Sequence, residues 1–150
     1  MLDFQEGGAV MYYLGTFFHT LDAKGRLFVP ARFRENLGEE FVLFKSPDKC
    51  ISIYDNANFE KLIDQVKMLS RTPQEREMQR RFFASAITVT LDKQGRFTVP
   101  QDYIDYASLG TDVVLTGEAN RLEIWSREAH DAREAAAADL APEDYPEIIY

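Results

Sequence analysis

The stretch Leu21-Asp-Ala-Lys-Gly-Arg-Leu-Phe-Val-Pro30 returns as Leu91-Asp-Lys-Gln-Gly-Arg-Phe-Thr-Val-Pro100. The correspondence continues beyond these ten positions: Leu37-Gly38 and Phe41-Val-Leu43 answer Leu109-Gly110 and Val113-Val-Leu115, and Ile51-Ser-Ile-Tyr54 answers Leu122-Glu-Ile-Trp125. The chain is therefore a tandem duplication, and it must build one local structure twice. A unit of roughly 40 residues has too little interior to be stable alone without a metal or disulfide. Cys50 is the only cysteine of the 150 residues and no Cys/His cluster accompanies it, so neither staple is on offer. The two copies must share one core.

Each copy reads as strand, tight turn, strand, short helix, strand, turn, strand. Thr16 to Leu21 is aromatic and β-branched, and Arg26 to Val29 forms the next strand. Between them, Asp22-Ala-Lys-Gly-Arg26 predicts a three-residue hairpin loop with Gly25 in the left-handed region, and Gly95 does the same in the second copy. That geometry sets Asp22 opposite Arg26 and Asp92 opposite Arg96 across the turn. Pro30 and Pro100 end their strands and suit the first turn of a short helix, which Gly38 stops. Further hairpin turns are expected at Ser46 to Lys49 and at Gly117 to Asn120.

Helices follow each copy. From about Ala57 to Leu69 the residues Phe59, Leu62, Ile63, Val66 and Leu69 fall on one stripe, the pattern of a helix docked on a core. Thr72-Pro-Gln-Glu75 is a capping box with proline at the first helical position, opening a helix that carries Arg76, Arg80 and Arg81. These three serve either packing and intersubunit ion pairs or nucleic acid. A last helix runs from Ser126 to Ala138, and Pro142 to Tyr150 is acidic and unpacked in the monomer. The expected organisation is an N-terminal extension (1–14), a first repeat with its connecting helix (15–70), a second repeat preceded by the basic helix (71–138) and an acidic tail (139–150). The fold class is α+β, mainly β, with the hairpins of the two copies interleaved about a pseudo-twofold axis into a barrel-like domain.

Charge separates the function classes. The net of −8 argues against indiscriminate nucleic-acid binding or adhesion to anionic lipid. The total hides blocks of opposite sign. Thr16 to Arg34 holds four basic side chains against Asp22, and Arg71 to Arg96 holds six against three acids, so each block carries +3. Glu128 to Tyr150 holds seven acids against Arg133. No apolar run reaches the ~20 residues that span a bilayer, and the first ten residues lack the form of an export signal. A soluble cytoplasmic protein is expected.

Catalysis finds no footing in the chain. His19 and His130 stand apart on a strand and a helix, each read as a polar partner or surface group, while Cys50, Tyr54 and Trp125 read as core. Ala-Lys-Gly-Arg lacks the glycine spacing of a phosphate-cradling loop. Asp22 and Asp92 each have lysine and arginine beside them, which suits ionised structural carboxylates rather than a proton-sharing pair. No catalytic residue, metal, cofactor or small-molecule substrate is expected. Arg26 and Arg96 admit two readings: a cross-strand ion pair that steadies the turn, or an arginine held by its aspartate so that its planar fork reads guanine or clamps phosphate. Lys24 and Lys93, with Gln94, stand at the turn tips, and Arg32 and Arg34 lie just beyond the strand, either facing DNA or solvated.

The paired Asp-x-x-x-Arg turns, Asp22 to Arg26 and Asp92 to Arg96, each with Gly before Arg and Val-Pro following, closely resemble those of the MraZ family. The resemblance runs from Met11-Tyr-Tyr-Leu-Gly15 to about Ala137, and residues 1–10 precede what looks like the family start. It implies a swapped-hairpin barrel of the AbrB-like class, subunits in a ring, and transcriptional regulation of the bacterial division and cell-wall gene cluster through short repeated promoter elements. It further implies DNA contact by Arg26 and Arg96, hence Lys24, Lys93, Arg32 and Arg34 as DNA-facing candidates and Asp22, Gly25, Asp92 and Gly95 as turn-structuring ones, in a nucleoid-associated protein. The competing class is an oligomeric interaction scaffold whose charged turns are subunit contacts.

Overall fold

The computed structural model describes residues 12–144 and residue 147. Eight strands fall into two sheets. The larger has six antiparallel strands: β1 (Thr16–Thr20), β7 (Asp112–Gly117), β8 (Leu122–Ser126), β4 (Ile51–Tyr54), β3 (Glu40–Lys45) and β5 (Ile87–Thr90), in that spatial order. Exchanging each strand for its counterpart in the other copy turns this order into its own reverse, so a pseudo-twofold axis passes between β8 and β4. The second sheet is a ribbon of β2 (Arg26–Phe28) and β6 (Arg96–Thr98) on the same axis.

The copies are interleaved as expected, but the turn between β1 and β2 does not close a laddered hairpin. β1 pairs with β7 of the other copy and β2 with β6 of the other copy. Likewise β5 pairs with β3. Each turn thus joins two strands that leave it for different sheets, and every outer pairing joins the two copies. Neither repeat can complete its sheet alone, as the shortage of interior in one unit requires.

The shared core lies between the six-stranded sheet, the ribbon and two short helices, α1 (Ala31–Leu37) and α4 (Gln101–Tyr106). Leu27 and Phe97, directly opposed in the ribbon, are 0% and 2% exposed, and Phe97 meets Phe41 edge-on with ring centroids 5.2 Å apart. Pro30 and Pro100 occupy the caps of α1 and α4, one position before the helical residue expected of them. Gly38 ends α1 at φ +84°, its N–H donating to the Arg34 carbonyl.

The other face of the large sheet is covered by α2 (Asn56–Leu69), α3 (Pro73–Ser85) and α5 (Arg127–Ala138). Tyr54 and Trp125 are buried there rather than in the shared core, and the Trp125 indole N–H donates to Glu123 Oε1 at 3.1 Å. The Thr72–Glu75 capping box forms as the spacing predicts. The α2 stripe docks less deeply than its pattern implies. Phe59, Leu62, Ile63 and Val66 are half-buried and Leu69 is exposed, with α2 packed on β3, β4 and α3. His130 is buried against the Phe18 ring with no partner for Nδ1, so it is not a surface group. Cys50 is fully buried.

Tyr13, expected in the N-terminal extension, is a core residue with no exposure. Its backbone bridges to Ala119, and its hydroxyl donates to Asp55 Oδ2 at 2.6 Å while accepting from Asn36 Nδ2 at 2.7 Å. Asp55 also caps α2 by accepting from the Asn58 N–H. One buried hydroxyl thus ties the start of the described chain to α1 and α2. Of the acidic tail, Pro142–Asp144 forms a single 3-10 turn. Residues 1–11 of the extension and 145, 146 and 148–150 of the tail lie outside the described residues.

Candidate nucleic-acid interface

Each duplicated turn is organised by its aspartate. Asp22 Oδ1 accepts from the backbone N–H groups of Lys24 and Arg26, both at 2.9 Å, and Oδ2 accepts from Arg26 Nε–H at 2.6 Å. The Gly25 N–H donates to the Asp22 carbonyl at 2.9 Å, closing the turn with Gly25 at φ +76°. In the second copy Asp92 Oδ1 accepts from Gln94 and Arg96 N–H at 2.8 and 2.9 Å, and Oδ2 from Arg96 Nε–H at 3.0 Å, with Gly95 at φ +82°. Across each turn the aspartate N–H also donates to the arginine carbonyl, at 3.1 Å for Asp22 and 2.7 Å for Asp92, so the carboxylate reinforces a glycine-bulged turn that the backbone already closes. Asp22 and Asp92 are held below the usual carboxylate range, first by the N–H of Arg26 and of Arg96, with the Nε–H donations adding and desolvation opposing.

The arginines spend only one edge on this work. Among the described residues, neither Nη1 nor Nη2 of Arg26 or Arg96 has a hydrogen-bond partner. The ribbon register puts Arg26 opposite Thr98 and Phe28 opposite Arg96. Since Leu27 and Phe97 point inward, these four share the outward face. Arg26 and Arg96 are then diagonal neighbours, and Phe28, 47% exposed, lies under the Arg96 guanidinium at 5.8 Å from the ring centroid.

The remaining candidates divide. Lys24 and Lys93 are exposed at the turn tips. Arg32 is exposed, its guanidinium 5.6 Å from the Phe33 ring centroid and 5.9 Å from that of Phe17. Arg34 is half-buried, with Nε–H donating to the Val29 carbonyl at 2.9 Å, and it lies against Gly95. Arg76, Arg80 and Arg81 are exposed on α3, where Arg80 and Arg81 pair with Glu77 at 3.1 and 3.8 Å. Sequence reasoning missed Phe28: a lone aromatic in a short strand reads as core until the register shows it facing out beside Arg96.

Among the described residues no three His, Cys, Asp or Glu side chains gather as a metal site. No helix among them is long and apolar enough to cross a membrane.

The family model described as MraZ protein matches the chain twice, over residues 12–81 and 82–144. The chain belongs to the MraZ family. The paired matches follow the duplication, and the boundary between them falls within α3. A relative named Transcriptional regulator MraZ from Desulfitobacterium hafniense is 42% identical over 137 residues, covering 85% of this chain and 96% of that protein. A protein of the same name from Carboxydothermus hydrogenoformans is 43% identical, covering 77% of this chain and 82% of its own length. Another from Natranaerobius thermophilus is 43% identical over 79% of this chain and 84% of its own. These MraZ relatives are named as regulators, not as enzymes.

Proposed function

We infer that this chain, a transcriptional regulator by family, binds double-stranded DNA through the outward face of the β2–β6 ribbon. The carrying observation is that Arg26 and Arg96 are each fixed through Nε by an aspartate while their terminal nitrogens stay free on one exposed face. A planar fork anchored at one edge suits guanine or phosphate, and the DNA major groove admits a two-stranded ribbon. Lys24, Lys93 and Gln94 border that face, and Arg32 adds charge nearby.

A chain of net charge −8 with few cationic contacts cannot hold DNA strongly by itself. Several subunits in a ring, each laying its turns on one of a series of short promoter repeats, supply the affinity together. An open groove of about 610 Å³ lined by Val66, Leu69, Met78, Phe82 and Tyr106 supports assembly, since Leu69 and Met78 are 70% and 64% exposed. Repeats about one helical turn apart, roughly 10 bp, bring successive subunits to one DNA face. The target in this reading is the promoter of the division and cell-wall gene cluster, which places the protein in the cytoplasm with the nucleoid.

Footprinting on the DNA upstream of its own gene tests this. Protection is expected over tandem repeats, with log affinity falling linearly and steeply against log salt. Changing the repeat spacing is expected to weaken binding more than deleting one repeat. No protection, or binding indifferent to salt, would overturn the proposal.

A further inference from the structure

We propose that Arg34 is a positioning residue for the second turn, acting on Arg96 through Gly95, so that the two turns of one chain are unequal DNA contacts. The proposal rests on the DNA-binding reading of Arg26 and Arg96. Counting from Pro30 and Pro100, the position held by Arg34 in the first copy is held by Ile104 in the second. Because strands are exchanged, each residue reaches the turn of the other copy. A Cβ added at Gly95 would collide with Arg34 Cζ and Nε, whereas one added at Gly25 would meet the Val99 carbonyl oxygen at 3.3 Å and Ile104 Cδ1 at 3.4 Å, neither of them a clash. Gly95 is buried and Gly25 only half-buried.

The hydrogen bonds differ in the same sense. The Val29 N–H donates to the Gly95 carbonyl at 2.9 Å, and Arg34 Nε–H donates to the Val29 carbonyl at 2.9 Å, closing a circuit around the second turn. At the first turn the Val99 N–H donates to the Gly25 carbonyl at 2.8 Å, but Ile104 has no donor to complete the circuit. Arg96 is also the more enclosed arginine, its side chain 20% exposed over Phe28, against 30% for Arg26 opposite Thr98. The second turn is clamped and the first is free to adapt. Arg34 is anchored to the protein through its Nε–H on the Val29 carbonyl and its packing on Gly95, and its effect on DNA passes through Arg96.

Arg34→Ile, which gives the second turn the buttress of the first, and Arg34→Lys, which keeps the charge without the fork, are compared with the unaltered oligomer on the upstream repeats across a salt series. Both variants are expected to lose about tenfold in affinity, one decade of the binding constant, with an unchanged salt slope. Amide exchange at Gln94 and Gly95 is expected to speed up while Lys24 and Gly25 keep their rates. A slope reduced by about 0.9 for each lost phosphate contact, with Arg34→Lys restoring affinity, would overturn the proposal, as would unchanged affinity or exchange altered equally at both turns. If Arg34→Ile does not fold, Gly95→Ala and Gly25→Ala decide. Both suffer a positive φ, but only the first displaces Arg34, so its loss of affinity is expected to be the larger, and equal losses overturn the proposal. If the unaltered protein binds no repeat DNA, the DNA reading fails, and the exchange rates alone decide whether Arg34 clamps the turn.

Discussion

Arg26 and Arg96 are diagonal neighbours across a two-stranded ribbon, although a whole repeat separates them in the chain. Arg26 faces Thr98, two residues beyond Arg96, which puts the two backbones about 7–8 Å apart. Only the exchange of strands between the copies makes this possible. A hairpin closed within one copy would leave Arg26 beside β1 and Arg96 beside β5. Duplication thus doubles a cationic fork at one place on the surface.

The buried tie between Tyr13 and Asp55 is expected to matter for stability and not for DNA. Burial and the adjacent carboxylate push the Tyr13 hydroxyl well above its ordinary pKa, so it stays protonated and donates. Tyr13→Phe removes that donor from Asp55, which is 5% exposed, and is expected to cost about 1–3 kcal/mol. For a chain of this size that lowers Tm by about 2–4 °C per kcal/mol. Thermal unfolding monitored by circular dichroism checks it; an unchanged Tm would show that the network contributes nothing.

Acid is expected to release the turns only at unusually low pH. The folded pKa values of Asp22 and Asp92 are depressed, so their contribution is complete above the ordinary carboxylate value and is lost as pH falls through the lowered ones. Carboxyl-carbon chemical shifts followed from pH 7 downward should give midpoints below that of an aspartate in a short peptide. Midpoints at or above the peptide's would contradict the hydrogen-bonded turn.

Cys50 is expected to be inert in the folded protein. Burial, with Glu123 nearby, pushes its thiol up to about 12, which leaves almost no thiolate at neutral pH. Iodoacetamide at pH 8 should label it only after denaturant is added. Rapid labelling of the native protein would show that the β3–β4 turn opens.

Much of this arrangement was legible in the sequence because the repeat carried it. Gly25 and Gly95 declared their turns, Pro30 and Pro100 the ends of their strands, and the weakness of one copy required an interleaved pair. What was not legible depends on partners far along the chain. Asp22 does face Arg26 across the turn, its N–H donating to the Arg26 carbonyl at 3.1 Å, but the pairing stops there because β1 and β2 leave for different sheets. Phe28 and Arg34 took their places only from the register, since strand alternation cannot say which copy supplies the opposite residue. Tyr13 carried no periodic signal because a single bridge to Ala119 holds it.

The central claim is that the free edges of Arg26 and Arg96 contact DNA. The direct measurement is the affinity of the Arg26→Ala/Arg96→Ala double variant for the upstream repeats, taken with its Tm and its mass by light scattering. The ion pairs removed are exposed pairs that contribute little to stability, so fold and assembly should persist. Binding should fall by at least 100-fold, about 2.7 kcal/mol. Undiminished binding, or a variant whose assembly breaks because the turns are subunit contacts, would contradict the account.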